Sequence, residues 1–423
     1  MSIQLKKGVQ LTVIPTEKFK TIRLLFRFQA NLRQDTIAKR TLLSSLLETN
    51  SAKYPSQTQM SAKLAELYGA SFSTYVSRKG NQHWFDVSVN MINGSYLQED
   101  NLLEEMVDFV KEALFHPNIK NGAFDEATFN REKENLLQYI DSTKDDKQFY
   151  AALRLNELFF KDDVVHALPS FGTKELYEVQ TPKTLADYYQ NMLETDLLHI
   201  VVLGDVEEEK VAKIMEKLPF KDREINQPDI FYTPSVTNII AEQIDHEPIN
   251  QSKLALAYHL PYRYDSKEYI ALQVFNGIFG AYPHSKLFQN VREKQSMAYT
   301  IQSSYDSFRG ILKVGAGIDR KNRGQVMKSI HLALEEMKLG QIHHEEINKT
   351  KEMLKSSYLQ GLDRPNTLIE IEFMKELLPK SYMKSQDWQE KVDAVTIEDI
   401  KEVAKNIHLA AVYFLEGSLE EEN

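Results

Sequence analysis

The chain has 423 residues, 42% of them hydrophobic and 26% charged, enough for more than one core and with the balance of an ordinary globular protein. Cysteine is absent, which excludes disulfides, thiolate metal sites, iron–sulfur clusters and a cysteine nucleophile. No apolar run approaches the ~18 residues of a membrane span, the N-terminus has no apolar stretch before a small-residue cleavage site, and a net charge of −10 disfavours a phosphate-backbone partner. The expectation is a cytoplasmic protein with no nucleic-acid partner and no membrane insertion.

In chain order, the first informative element is an apolar stripe of Leu42, Leu43, Leu46 and Leu47, whose spacing predicts a helix packed into a core. SAKLAEL (61–67) then precedes FSTYVSRKGNQHWFDVSV (72–89). There, period-two alternation of Trp84, Asp86 and Ser88 against Phe85, Val87 and Val89 predicts a β-hairpin. FDEATFNREKENLLQYI (124–140) reads as a long charged amphipathic helix. TPKTLADYYQNML (181–193) opens with Thr and Pro as a helix start does, and HIVVLGDVEE (199–208) is a buried-looking strand. Pro219, Pro228 and Pro234 punctuate residues 217–240, a stretch of little periodicity that suits a semi-extended tether.

Beyond the tether the same order returns. HSKLFQNV (284–291) precedes the strand pair AYTIQSSYDSFRGILKVGAGI (298–318), then come the helices HHEEINKTKEMLKSSYL (343–359) and TIEDIKEVAKNI (396–407), and the strand AVYFLEGSLEE (411–421). The offset is roughly 215–225 residues, too long for a solenoid, so one domain is written twice. Strands in blocks with helices between them give an α+β class, each half an antiparallel-rich sheet with helices packed on one face. The expected division is residues 1–216, a linker 217–240, and residues 241–423. The charge runs at Lys144–Lys147 and Glu420–Glu422 read as solvated surface.

The whole chain resembles the insulinase/pitrilysin zinc peptidases, in particular the short branch that includes mitochondrial processing peptidase. The most specific piece is GIFGAYPHSKLFQNVREKQSMAYTI (277–301), similar to that family's second-half motif, supported by HALPSFGTKELYEVQTPKTLADYY (166–189) and HIVVLGDVEEEKV (199–211). The resemblance implies two homologous domains forming a clamshell around a peptide-sized cavity. Active members carry His-x-x-Glu-His on a first-half helix, two imidazoles for zinc and a carboxylate to activate water, with a further Glu on a later helix. Counted back from Lys53-Tyr54-Pro55, that motif falls on Thr41-Leu42-Leu43-Ser44-Ser45. The later ligand position falls on Tyr139, while Glu132, seven residues earlier, is retained. Neutral hydroxyls are poor zinc ligands, and a serine without a proton acceptor is no base at neutral pH. No His-x-x-Glu-His occurs anywhere, and His344-Glu345-Glu346-Ile347-Asn348 reads as a solvated helix start.

The resemblance also implies that Arg292 and Tyr299, both retained, hydrogen-bond the backbone of a peptide substrate, and that strand 70–78 is the edge to which an extended peptide adds. His166, His259 and His284 are isolated, and Gly280-Ala281-Tyr282-Pro283 is a turn before a helix. The resulting expectation is a non-catalytic, cofactor-free subunit that binds polypeptide. It would partner a zinc-motif-bearing homologue in a heterodimer, or form a homodimer. Among bacterial relatives it resembles the motif-less member of a peptidase-like pair associated with elongation factor P modification. The alternatives are an active zinc metallopeptidase with a rearranged site, and an assembly protein with a vestigial cavity.

Overall fold

A computed structural model describes residues 2–225 and 229–418; Pro228 and the run Glu420–Glu422 lie outside them. The chain packs as two compact units: Met1–Asp141 with Pro169–Ile230 and Arg364–Leu377, and Ser142–Leu168 with Phe231–Asp363 and Leu378–Asn423. Each unit is α+β, built on one antiparallel-rich sheet.

The first unit holds β1 (Ser2–Lys6), β2 (Val9–Pro15), β3 (Thr21–Asn31), β4 (Ser71–Lys79), β5 (Gln82–Ile92) and β6 (Leu197–Gly204). Their order is β1-β2-β6-β3-β5-β4, with β2 and β6 the parallel pair. The second unit holds β7 (Ala241–Glu247), β8 (Ser252–His259), β9 (Ala298–Asp306), β10 (Ile311–Ile318) and β11 (His408–Gly417), in the order β9-β10-β8-β11-β7. There the parallel pair is β7 with β11. Laid over one another, the sheets match strand for strand apart from the extra β1, so the repeat in the sequence is a repeat of topology. The closing helices begin as their sequences require: Thr181 and Thr396 each accept a bond from the backbone N–H three residues on, and the residue there, Thr184 or Asp399, bonds back.

Two helices, α1 (Gln34–Thr49) and α2 (Glu126–Ser142), carry the counted motif positions, and two others, α3 (Lys147–Phe159) and α4 (Pro365–Leu377), each cover a sheet face. In each unit, helices from the same half of the chain cover one face of the sheet. In the first unit this makes a core around Phe26, Phe28, Phe85, Val87, Ile200 and Val202. The opposite face is covered as well, by a helix from the other half. Helix α4 brings Ile369 against Leu25, Val201 and Leu203, and α3 brings Ala151 and Leu155 against Ala255, Ala257, Ala411 and Tyr413 of the second sheet. The alternation in β5 therefore has no wet side: Trp84 and Asp86 are as buried as Phe85 and Val87. Among the described residues no helix is long and apolar enough to cross a membrane.

Helix α4 is held by a charge set in aromatic rings. The Arg27 guanidinium lies 4.2 Å from the Trp84 ring centroid and 4.4 Å from that of Phe373. It donates to both carboxylate oxygens of Asp86 at 2.9 Å and to Glu370 at 2.8 Å, while Lys79 reaches the other Glu370 oxygen at 3.0 Å. Beside it, His199 packs on Phe373 at 5.3 Å and shares a 2.8 Å hydrogen bond with the Thr12 hydroxyl.

Asp86→Ala leaves the guanidinium buried beside one half-exposed acid and should cost about 3–5 kcal/mol. Phe373→Ala should cost about the same. Because both act on Arg27, urea unfolding of the double variant is expected to show less than the sum. Burial, with the Arg27 charge nearby, lowers the His199 imidazole to about 4. The unfolded chain takes up that proton below pH ~6.5, so stability should fall as pH drops from 6.5 to 4, by up to about 3 kcal/mol from this residue. Urea midpoints of wild type and His199→Gln across that range should diverge accordingly.

Candidate functional site

Helix α1 is fixed by a residue beside the expected motif positions. Arg40 is wholly buried; it donates to Asp196 at 2.5 Å, to the Tyr188 hydroxyl at 3.2 Å and to the Phe28 carbonyl at 2.9 Å. Leu42, Leu43, Leu46 and Leu47 fill the core as their spacing predicts. Thr41 and Ser44 are buried, and their hydroxyls turn back onto their own helix, to Ile37 O at 3.0 Å and Thr41 O at 2.7 Å. A hydroxyl bonded to an i−3 or i−4 carbonyl has spent its proton on the helix.

The later helix runs past α1 in the order that the counted register requires. Glu132 of α2 acts electrostatically on Glu48 at the end of α1. Seven residues on, the Tyr139 ring packs on Phe171 at 5.4 Å. The Tyr177 hydroxyl donates to the Phe171 carbonyl at 2.5 Å and lies beside Thr41. Positions 41, 44, 45 and 139 thus share one region, but they hold two serines, a threonine and a tyrosine. Partial desolvation and the Glu132 charge raise the Glu48 carboxyl. Glu132 itself is paired with Arg131 at 2.9 Å. Among the described residues, no three His, Asp or Glu side chains stand where they could hold a metal ion. The donor set, three hydroxyl residues and a tyrosine, does not fit zinc.

The second-half residues occupy two local irregularities. Residues Gly277–Ala281 and Phe288–Glu293 form π-helical turns on either side of the Ser285-Lys286-Leu287 segment. A side chain at Gly277 would meet Thr350 Cγ2 at 2.4 Å, and one at Gly280 would meet Ser303 Oγ at 2.6 Å, so both glycines permit close packing. Gly280 and Ala281 end the first π turn, and Tyr282 and Pro283 lead from it into the turn before the next helix. Lys286 is buried against Glu336 at 2.9 Å and Glu346 at 3.8 Å.

Arg292 sits in the second π turn, half-exposed, its guanidinium 4.7 Å above the Phe288 ring and 3.8 Å from Glu293. Tyr299 is the extra residue of a β-bulge: Ala298 faces Ile318 and Thr300 faces Gly317, leaving Tyr299 between them. The bulge turns both Tyr299 and Thr300 outward on β9, the edge strand of its sheet. The Tyr299 hydroxyl reaches Asp319 at a long 3.4 Å. The first sheet's edge strand, β4, covers the predicted peptide-pairing segment.

The isolated histidines are structural. His166 stacks on Tyr232 at 3.6 Å, His259 packs on Phe159 at 5.1 Å, and His284 bonds the Thr350 hydroxyl at 2.7 Å. His344 and Asn348 are exposed on the first turns of a helix, as expected. Sequence reasoning passed over Arg40, Asp196 and Glu48. A lone arginine inside an apolar helical stripe was the available signal for the first.

Converting Thr41→His, Ser44→Glu, Ser45→His and Tyr139→Glu together should create one zinc site per chain, measured by metal analysis after dialysis, where wild type retains none. Failure of the fourfold variant to bind zinc while still folded would show the register to be misplaced.

Residues 181–354 match the family described as the peptidase M16 inactive domain. A Bacillus subtilis (strain 168) relative described as the probable inactive metalloprotease YmfF is 33% identical over 419 residues, 97% of this chain and 96% of its own length. The crystal structure of a conserved protein from Enterococcus faecalis V583 matches with a TM-score of 0.95 at 50% identity, over 100% of this chain and 99% of that one. A peptidase M16 inactive domain from Pseudomonas fluorescens shares the fold, with a TM-score of 0.79 at 16% identity over 100% of this chain and 99% of that one. With a relative 33% identical over nearly the whole chain and no His-x-x-Glu-His in the sequence, the chain belongs to the insulinase/pitrilysin (M16) peptidase family without that family's zinc motif.

Proposed function

We propose that this chain is a non-catalytic, polypeptide-binding subunit that works beside a homologous chain carrying His-x-x-Glu-His. The observation that carries the reading is selective loss. Both metal-binding histidines, the base and the later carboxylate are gone together, while an open edge strand and two exposed donors, Arg292 and Tyr299, remain on a well-packed scaffold. A chain kept only as scaffold has no need for a π turn and a bulge that present those two side chains outward; such irregularities cost regular hydrogen bonding and recur at functional sites.

The chemistry suits an extended backbone. Strand β4 offers alternate N–H and C=O groups to an added strand in the first unit. In the second unit, a guanidinium and a phenol are donors to peptide carbonyls. Neither requires a metal. Arg292 and Tyr299 act here as peptide contacts and carry no catalytic step.

The test is recovery of partners from the native cell with the tagged chain. A similar-sized protein with an intact His-x-x-Glu-His is expected; repeated recovery of the chain alone, or of a homodimer, would count against the subunit reading. For binding, Arg292→Ala should weaken a fluorescein-labelled peptide of alternating Thr and Val about tenfold, or ~1.4 kcal/mol. Its unfolding midpoint should match wild type, because the guanidinium is half-exposed and its neighbouring acid lies 3.8 Å away.

A further inference from the structure

The open edge of β4 is not bare. The β4–β5 hairpin turns on Gly80 and Asn81, with Gly80 at φ +53° and Lys79 facing Gln82. Gly at the first of two loop positions is the type II′ pattern, in which the flanking residues form a hydrogen-bonded pair. Bonded and non-bonded pairs then alternate down the ladder. Lys79, Ser77, Tyr75 and Ser73 point their N–H groups into β5, while Arg78, Val76, Thr74 and Phe72 point theirs outward. The structure agrees at Thr74, whose N–H donates outward to Glu48 Oε2 at 3.4 Å. Thr74 is stitched to α1 a second time, its hydroxyl donating to the Ser44 carbonyl.

Glu48 lies one turn beyond Ser44 and Ser45 and is exposed, and Glu132 nearby repels its charge. The Thr74 N–H is the contact that stabilises the carboxylate against partial desolvation and that repulsion. The bond is long, so it holds the edge closed only weakly.

We infer that Glu48 is a built-in mask of the β4 edge, its carboxylate occupying the Thr74 N–H that an added peptide strand would need. The inference rests on the peptide-binding reading above and names its regulation: a peptide carbonyl competes with the carboxylate for one donor, and Glu48 must swing away before the strand can add at its centre. An isolated charged acceptor is stronger than a neutral carbonyl, so one peptide residue alone does not displace it. A peptide that also gains the bonds at Phe72 and Val76 does, and the mask therefore selects long extended segments over short contacts.

Two measurements on the full chain test this, each on Glu48→Ala and on Glu48→Gln, which keeps an uncharged acceptor of the same reach. The first is residue-resolved amide exchange. In Glu48→Ala the Thr74 amide should exchange about tenfold faster while Tyr75, bonded into β5, is unchanged; Glu48→Gln should lie between. The second is affinity for the labelled Thr-Val peptide, expected to rise about three- to tenfold in Glu48→Ala. Unchanged Thr74 exchange overturns the mask. Faster exchange with unaltered or weaker peptide affinity overturns its competition with peptide. No binding to wild type or either variant overturns that competition too, and is distinguishable because it removes the peptide-binding reading along with it.

Discussion

A single guanidinium, that of Arg27, organises the face of the first unit's sheet that α4 covers. Its position between Trp84 and Phe373, with Asp86 on one side and Glu370 on the other, joins a strand near the start of the chain to a helix near its end. The physical constraint behind it is that a sheet with two apolar faces cannot leave one in water. Each half of this chain supplies helices for one face of its own sheet only. The remaining face is closed by α4 in one unit and α3 in the other, and the two solutions differ in character. The α3 contact has an apolar centre, Ala151 and Leu155 against Ala255, Ala257 and Ala411, with its ion pairs, Lys147 to Glu247 and Arg154 to Asp245, at the sheet's edge strand. The α4 contact is ionic and aromatic, and so depends on every partner being present.

The helix that carries zinc in active relatives shows what is kept when chemistry goes. Its anchoring is intact: Arg40 still reaches Asp196 and the Phe28 carbonyl, and the leucine stripe still fills the core. Its reactive positions have become hydroxyls bonded to their own backbone. What remains nearby is a pair of carboxylates, Glu48 and Glu132, the second of them paired with Arg131.

Much of the architecture was legible because it is local and repeated. Thr181 and Thr396 announce helix starts, the hairpin around Gly80 shows strict alternation, and the second half repeats the first in order, which makes the two sheets match. The helix exchange was not legible. Helix α4 has the sequence Pro-Asn-Thr-Leu-Ile-Glu-Ile-Glu-Phe-Met, in which apolar and acidic residues alternate without a helical stripe, because one of its acids, Glu370, is itself the partner of Arg27 and Lys79. The lost metal site was readable by register alone, from hydroxyls standing where imidazoles are needed. Arg292 and Tyr299 were named by motif, but neither the π turn nor the bulge that exposes them has a signature in residue type. The contact between Glu48 and Thr74 could not be read at all, since it joins a helix end to a backbone group.

The exchanged helices also set a timetable for the chain's own synthesis. The first unit's strands and own-half helices are complete when residue 230 has been made, yet α4 arrives only with residues 364–377. About 150 residues separate the two events, roughly 7–30 s at about 5–20 residues per second. Throughout that interval Leu25, Val201, Leu203 and Trp84 have no cover, and the Arg27–Asp86 pair faces water. The nascent first half thus spends many folding times as a sheet with one exposed apolar face, the kind of surface that chaperones hold and that neighbouring chains on the same message could cover by mistake.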